Sequence, residues 1–124
     1  MKLLIDSHVF LWALMQPGLI GGDRLLIENA SNEVFVSAAT IWELLVKKAK
    51  GKLSCPDNLA DYIPAKGFQE LQITARHGSM AARLPMHHGD PFDRMLVAQA
   101  IAEGLTLLTV DKALSSYGPF VRVV

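Results

Sequence analysis

The sequence predicts an α/β domain whose central sheet is mainly parallel. Short apolar runs such as KLLI at residues 2–5 and LTLLTV at residues 105–110 are continuous, as expected of strands covered on both faces. Segments with helical spacing alternate with these runs, which is the pattern of a layered α/β fold. The length of 124 residues suits one hydrophobic core, so we expect a single domain over residues 1–124.

The first 51 residues predict two strands and three helices. KLLI is the first strand, and SHVFLWAL is a helix that starts at Ser7. After QPGLIGG interrupts the pattern, DRLLIENA predicts a second helix with Asp23 as its N-cap. EVFV at residues 33–36 is the second strand. SAATIWELLVKKAK then forms a long helix, which Ser37 caps and Gly51 ends.

The middle of the chain has a weaker pattern. SCPDNLADYIPAKG predicts a helix interrupted by Pro64, because proline lacks the backbone donor that a helix interior needs. FQELQI at residues 68–73 predicts a third strand. Thr74 then opens a helix that we expect to end near Pro85.

HGDPFDRMLVAQA at residues 88–100 predicts the strongest helix. Asp90 lies at the N-cap, Pro91 suits the first helical position, and Asp93 at the third completes an acidic capping box. Apolar residues continue at helical spacing as far as Gly104, a natural end for the helix. Capping alone could explain both aspartates. The strand LTLLTV, a helical turn in DKALSSYG and the terminal strand VRVV complete the order of elements.

Acidic residues fall at one edge of the predicted sheet. Asp6 directly follows KLLI and Asp111 directly follows LTLLTV, so both lie at carboxyl ends of strands, the usual ligand edge. Asp93 lies in the first turn of a helix that starts at this edge. Glu43 follows Ser37 by six residues and has apolar neighbours, and helical side chains lean towards the N-terminus. Each acid alone could be a cap or a solvated charge, but four together predict a site.

Four carboxylates in one crevice would repel one another unless a cation neutralised them. Oxygen ligands without cysteine favour a hard ion, Mg²⁺ or Mn²⁺. Such an ion can activate water and stabilise charge on a phosphate. The four acids therefore predict metal-dependent hydrolysis of phosphodiester bonds.

The chain resembles a known family over nearly its whole length. The segments LLIDSHVFLWAL, VSAATIWELLVKKAKGKL, HHGDPFDRMLVAQAIAEG and LLTVDKAL look like those of the PIN-domain nucleases, and in particular of VapC-like toxins of bacterial toxin–antitoxin pairs. The resemblance implies a three-layer PIN-like fold and metal-dependent endoribonuclease activity. It also implies a cognate antitoxin and a homodimer. Gly89 departs from the family pattern, which commonly has a basic residue at this position.

The same resemblance assigns the site residues. The catalytic and metal-binding acids of the family match Asp6, Glu43, Asp93 and Asp111. Its supporting polar positions match Ser7 and Thr109, and Asp90 accompanies Asp93. Of the two, Asp93 is the better match to the metal-site acid.

Contacts to RNA are predicted from local charge. The formal net charge is zero, with 12 basic and 12 acidic residues, so any basic surface must be local. The best candidates are Lys47, Lys48, Lys50 and Lys52, together with Arg94. The four lysines could equally form a solvated helix end.

Histidines and tryptophans are weaker candidates. His87 and His88 could bind metal, but the sequence places no further histidine near them, so we expect loop residues. Trp12 and Trp42 could stack on bases, yet at helical spacing among aliphatic residues they are expected in the core.

The remaining composition predicts a cytoplasmic protein that does not bind membranes. Cys55 is the only cysteine and cannot form an internal disulfide. The apolar start is interrupted by Asp6 and His8, unlike a signal peptide, and no apolar run reaches the length of a membrane span.

Two other functions would also suit an α/β domain with acids at its strand ends. A signalling receiver domain would need adjacent acids near the first strands and a phosphorylatable aspartate in mid-chain, where VSAAT has none. A non-catalytic, RNA-binding PIN domain would lack one of the four acids, and all four are present.

Overall fold

The centre of the fold is a five-stranded parallel sheet. The computed structural model describes residues 1–124, and its strands lie in the order β3-β2-β1-β4-β5. All four strand pairs are parallel, which confirms the α/β class. The strand bounds are β1 Lys2–Ile5, β2 Glu33–Ser37, β3 Gln69–Leu71, β4 Thr106–Thr109 and β5 Val121–Val123.

Six α-helices and two 3₁₀ segments connect the strands. The helices are α1 Ser7–Met15, α2 Arg24–Glu28, α3 Ala38–Ala49, α4 Leu59–Ala65, α5 Ala75–Arg83 and α6 Pro91–Glu103. The 3₁₀ segments are Pro17–Asp23 and Lys112–Tyr117. None of the helices is long and apolar enough to cross a lipid bilayer.

Two apolar layers cover the two faces of the sheet. Leu3 and Ile5 pack with the side of the core that contains Phe10 of α1 and Leu44 of α3. Leu4 points to the other side, because successive side chains of a strand alternate between faces. There it joins a cluster that includes Leu96 of α6. The continuous apolar strands are thus explained by burial on both faces, in a helix–sheet–helix arrangement.

The structure confirms one local alternative, a cap at Asp6, and corrects two local predictions. Asp6 caps α1, with its Oδ1 accepting from the Val9 amide at 2.9 Å. Asp23 does not cap α2, because the preceding 3₁₀ segment leaves its backbone helical rather than extended; its carboxylate instead accepts from Arg122 at 2.8 Å. Pro64 does not interrupt α4, since it lies one residue before the helix ends.

The sheet brings the carboxyl ends of β1 and β4 together. Ile5 is in register with Leu108, and the Asp6 amide extends this pairing by donating to the Leu108 carbonyl at 3.0 Å. On the other side of β1, Ile5 is in register with Val36 of β2. Residues that follow these three strands therefore lie at a common edge, next to the N-terminus of α6.

Candidate active site

The predicted acids converge on one cleft of about 350 Å³ at this edge. It is lined by nine residues: Asp6, Ser7, His8, Glu43, Lys47, Asp90, Asp93, Val110 and Asp111. Eight of the nine have polar or charged side chains, so the cleft suits a charged ligand rather than an apolar one.

Asp6 is buried and rigidly held at the end of β1. Its Oδ2 accepts from the Thr109 hydroxyl at 2.6 Å and from the Val110 amide at 3.0 Å. Its Oδ1 accepts the capping bond from Val9. Burial raises the pKa of Asp6, and the hydrogen bond from Thr109 opposes that rise. The predicted supporting residue Thr109 thus orients a carboxylate of the cleft.

Glu43 is 4% exposed, although it lies on a helix with an exposed face. The Ser7 hydroxyl donates to its Oε1, and Lys47 donates to its Oε2 at 2.6 Å from one turn further along α3. Bonding to Glu43 raises the pKa of Lys47. The other predicted supporting residue, Ser7, therefore fixes Glu43 in the cleft.

Asp93 differs from the other acids because it accepts no hydrogen bond from the protein. The nearest basic group is His88 Nε2, at 3.6 Å from Asp93 Oδ2. Desolvation raises the pKa of Asp93 to about 7, and repulsion from Asp90 and Glu43 adds to the rise. Its oxygens remain available to a ligand.

Asp90 is the N-cap of α6, as predicted, with Oδ1 accepting from the Phe92 amide at 2.8 Å. The predicted capping box is wrong in its second half. The Asp90 amide donates to Nδ1 of His88 at 3.0 Å rather than to Asp93. Because His88 satisfies this amide, Asp93 can turn into the cleft.

Asp111 closes the cleft from the β4 side. Its Oδ1 accepts from the Ala113 amide at 2.9 Å and caps the following 3₁₀ segment. Its Oδ2 lies 2.7 Å from His88 Nε2. Each predicted acid thus has one structural partner or more, except Asp93.

Comparison with known proteins identifies the fold family. The family model described as PIN domain matches residues 3–118. This chain belongs to the PIN-domain family. Ribonuclease VapC22 of Mycobacterium tuberculosis is 30% identical, over 92% of this chain and 90% of that protein. The family resemblance drawn from the sequence is therefore confirmed.

Solved structures share the PIN fold over the full length of the chain. VapBC2 from Rickettsia felis, bound to a DNA fragment from its promoter, matches with a TM-score of 0.71 and 17% identity, covering 100% of this chain and 98% of that one. VapBC-5 from Mycobacterium tuberculosis, a member of the VapBC family of toxin–antitoxin systems, matches with a TM-score of 0.59 and 18% identity, covering 99% and 97%. At this identity, the likeness supports the fold.

His88 lies next to the cleft of this PIN domain, and its contacts there could not be decided from the sequence. It is a loop residue, as expected, and its imidazole contacts Asp111 and faces Asp93. A local signal existed, since a histidine two residues before an N-cap can accept the amide of that cap. His87, by contrast, packs edge-on against Tyr117, with ring centroids 5.0 Å apart.

Arg94, a predicted RNA contact, is engaged inside the protein. The side chain is buried, with the residue 8% exposed, and its guanidinium donates to carbonyls at the end of α5 and in the loop that follows. The acceptors include the carbonyls of Ala81 at 2.8 Å, Leu84 at 3.0 Å and Pro85 at 3.1 Å. Arg94 therefore fastens the loop before α6, and a contact with RNA would have to replace these internal bonds.

The lysines divide into two groups. Lys47 bonds to Glu43, and Lys48 bonds to the Cys55 carbonyl and to Asp57. Lys50 and Lys52 are exposed at the end of α3 and have no ion-pair partner. Only this second pair is free to meet a phosphate backbone without first breaking an internal bond.

The two tryptophans also differ from each other. Trp12 packs against the apolar core, as expected. Trp42 does not: it is 64% exposed and makes an edge-to-face contact with Phe92, with ring centroids 5.2 Å apart. These two aromatics, one exposed and one half-buried, directly precede Glu43 and Asp93 in the chain.

A larger groove of about 540 Å³ lies away from the acids. Its lining includes Ile20, Val34 and Phe68 with a single acid, Glu28, and it reaches the amino end of β2 rather than the carboxyl end. It holds no group of ionisable residues that could carry out hydrolysis.

The acidic cleft fits a hard divalent cation. Its donors are carboxylate and hydroxyl oxygens, the ligands that Mg²⁺ and Mn²⁺ prefer. Asp93 is the strongest indication of a cation site. Its carboxylate accepts no hydrogen bond from the protein and its pKa is about 7, so it lacks a positive partner. Lys47 neutralises part of the negative charge of the cleft, but its ion pair is with Glu43.

Proposed function

We propose that this PIN domain is a metal-dependent endoribonuclease and the toxin of a toxin–antitoxin pair. The observation that carries the proposal is the convergence of Asp6, Glu43, Asp93 and Asp111 on one cleft. The 30% identity to a protein named Ribonuclease VapC22 supports the ribonuclease activity.

Each acid would contribute differently to a bound Mg²⁺ or Mn²⁺. Asp6 is oriented in advance by Thr109, so it would offer an oxygen with little loss of side-chain freedom. Glu43 is held by Ser7 and would complete the site from α3. Asp93 would gain the positive partner that the protein does not provide. The cation would supply an activated water and stabilise negative charge on the phosphate.

Residues around the acids would bind and orient the RNA. Lys47 lines the cleft and can turn from Glu43 to a phosphate once the acids are neutralised. Trp42 is exposed and directly precedes Glu43 in the chain, and its indole could stack on an unpaired base. Lys50 and Lys52 extend the positive surface away from the cleft. This arrangement favours single-stranded RNA as the substrate.

The test is cleavage of a mixed RNA pool by purified protein, with and without EDTA. We expect cleavage with Mg²⁺ or Mn²⁺, none with EDTA, and recovery when metal is restored. The matched variants are Asp93→Asn, which should be inactive, and Asp61→Asn, which removes an exposed acid of α4 and should retain activity. Equal cleavage with and without EDTA after repurification would refute the metal mechanism. RNA binding without cleavage would favour the non-catalytic alternative.

The proposed protein partners of this chain rest on the same family relation. Structural neighbours are described as VapBC or toxin–antitoxin complexes. We therefore infer a cognate, VapB-like antitoxin, which covers the acidic cleft and offers it a lysine or arginine in place of the cation. We also infer a homodimer that acts in the cytoplasm.

A further inference from the structure

The His88 imidazole lies between two acids of the cleft. Its Nε2 is 2.7 Å from Asp111 Oδ2 and 3.6 Å from Asp93 Oδ2. One ligand atom from each of these three residues falls within 4.8 Å of the other two. By proximity alone, His88 would be assigned as a nitrogen ligand of the metal.

The other ring nitrogen contradicts that assignment. Nδ1 lies 3.0 Å from the backbone nitrogen of Asp90, and a backbone amide can only donate. Nδ1 therefore uses its lone pair as an acceptor, and the proton of the neutral ring is on Nε2. A histidine that binds a metal coordinates through one nitrogen and donates a proton from the other. His88 has the opposite arrangement.

We propose that His88 is a positioning residue that donates from Nε2 to Asp111 and is not a metal ligand. The inference deepens the proposed function, on which its metal-binding part rests. Asp111 is the most exposed of the predicted acids that His88 approaches, at 36% of its side chain. Its Oδ1 is held by the Ala113 amide, so the bond to Oδ2 fixes both carboxylate oxygens. Oδ2 retains a second lone pair for a cation.

Hydrogen bonds in the loop before α6 fix both the imidazole and the backbone of His88. The Asp90 amide holds Nδ1, while Asp90 Oδ1 caps the helix that carries Asp93. Arg94 donates to the His88 carbonyl at 3.3 Å. His88 thus connects the start of α6 to the end of β4 and fixes the geometry of Asp93 relative to Asp111.

The tautomer is measurable directly. Long-range ¹H–¹⁵N correlation spectra at pH 8, where an ordinary imidazole is neutral, should show His88 protonated at Nε2 in the metal-free protein. The same pattern should persist with Mg²⁺. In the Mn²⁺-loaded protein, pulsed EPR should show no ¹⁴N coupling of a directly bound imidazole. Protonation at Nδ1, or a directly coordinated nitrogen, would overturn the inference.

Variants test the positioning role through metal affinity, measured by calorimetry. His88→Gln keeps an N–H donor near the place of Nε2, whereas His88→Ala has none. We expect His88→Ala to weaken Mg²⁺ binding about 10-fold, as is common when an outer partner of a ligand is lost. His88→Gln should stay within about threefold of the wild type on the same scale. His87→Gln, outside the cleft, is the control and should bind as the wild type does.

The choice of metal separates a donor from a ligand. If His88 acts through Asp111, His88→Ala should weaken Mg²⁺ and Mn²⁺ binding by the same factor. A loss confined to Mn²⁺, which accepts imidazole more readily than Mg²⁺, would overturn the inference, as would equal losses in His88→Gln and His88→Ala. If the protein binds metal but does not cleave RNA, the result contradicts the proposed nuclease activity and leaves the inference about His88 unaffected. If the wild type binds no metal, the nuclease proposal fails, and the NMR spectrum still decides the tautomer.

Discussion

Asp90 and Asp93 lie three positions apart on the same helix start, yet their surroundings differ. Asp90 accepts a backbone amide and faces the helix end, while Asp93 has no protein donor and lies in the cleft. The deciding neighbour is His88, which takes the amide that a capping box would have given to Asp93. One contact therefore separates a structural aspartate from a candidate metal ligand.

Substitutions should separate these two roles. Asp90→Ala should lower the free energy of unfolding by about 1 kcal/mol, the usual effect of a lost N-cap, and reduce activity only indirectly. Asp93→Asn keeps the size of the side chain but removes its charge, so it should abolish both cleavage and stabilisation by Mg²⁺. Thermal melts with and without Mg²⁺, beside RNA cleavage, measure both effects. The assignment is reversed if Asp90→Ala loses the Mg²⁺ effect and Asp93→Asn keeps it.

The raised pKa of Asp93 predicts a pH dependence for the metal-free protein. A carboxyl whose pKa is about 7 when folded and 3.8 ordinarily binds its proton more tightly in the folded state. Its contribution to stability is therefore greatest at low pH and is lost as pH rises from about 4 to about 7. The full loss is on the order of 4 kcal/mol, from 1.36 kcal/mol for each pKa unit.

Asp93→Asn removes this titration, so the variant should gain stability over the wild type across the same pH range. Urea unfolding at pH 4.5 and pH 8 without metal measures this difference in stability between the variant and the wild type, which should be much larger at the higher pH. Mg²⁺ should close it, because the cation stabilises the charged carboxylate of the wild type. A gap of equal size at both pH values would mean that Asp93 does not titrate in this range.

At the scale of elements, the loop between α5 and α6 depends on one buried side chain. Arg94 donates to carbonyls on both sides of the loop, from Ala81 at the end of α5 to His88 before α6, and also contacts the Tyr117 hydroxyl at 3.3 Å. No lysine can reproduce this, because an ammonium group cannot span acceptors that a planar guanidinium reaches together.

Arg94→Lys should lower the free energy of unfolding by roughly 2–4 kcal/mol, since several buried carbonyls lose a charged donor. Arg76→Lys, at an exposed position of α5, is the matched control and should change stability little. Chemical denaturation measures both. A reduced affinity for RNA at unchanged stability would instead support the original prediction that Arg94 contacts RNA.

At the scale of the whole molecule, charge is organised locally. The chain is neutral overall, but acids are concentrated in the cleft and the unpaired Lys50 and Lys52 lie at the end of α3. A neutral protein with an acidic cleft needs a cation before a phosphate can approach. A cationic segment of a partner would meet the same demand, which is the physical basis of the proposed inhibition by an antitoxin.

The proposed homodimer is tested by light scattering over micromolar concentrations. We expect a mass near twice 13.6 kDa, independent of Mg²⁺. A mass of one chain at every concentration would contradict the dimer and leave the cleft, which lies within one chain, unaffected.

The elements and the four acids could be predicted from the sequence because their signals are local. KLLI is apolar without alternation because both faces of β1 are covered, and Gly104 ends α6 with a positive φ of 68°. Asp6 and Asp111 lie at the same edge because each follows a strand of a parallel sheet. The resemblance of these segments to PIN-domain nucleases added the family, and the comparisons confirm it.

The tertiary structure decided what depends on contacts between distant segments. His88 meets Asp111 across 23 positions, and this contact links the loop before α6 to the end of β4. Arg94 is buried and Trp42 is exposed, although charge and hydropathy predict the reverse, because the available partners rather than residue type determine burial. The pKa of Asp93 likewise depends on desolvation by the assembled fold and on three other carboxylates, two of which, Glu43 and Asp6, are distant in the sequence. Such quantities arise from packing, which no single segment of the sequence encodes.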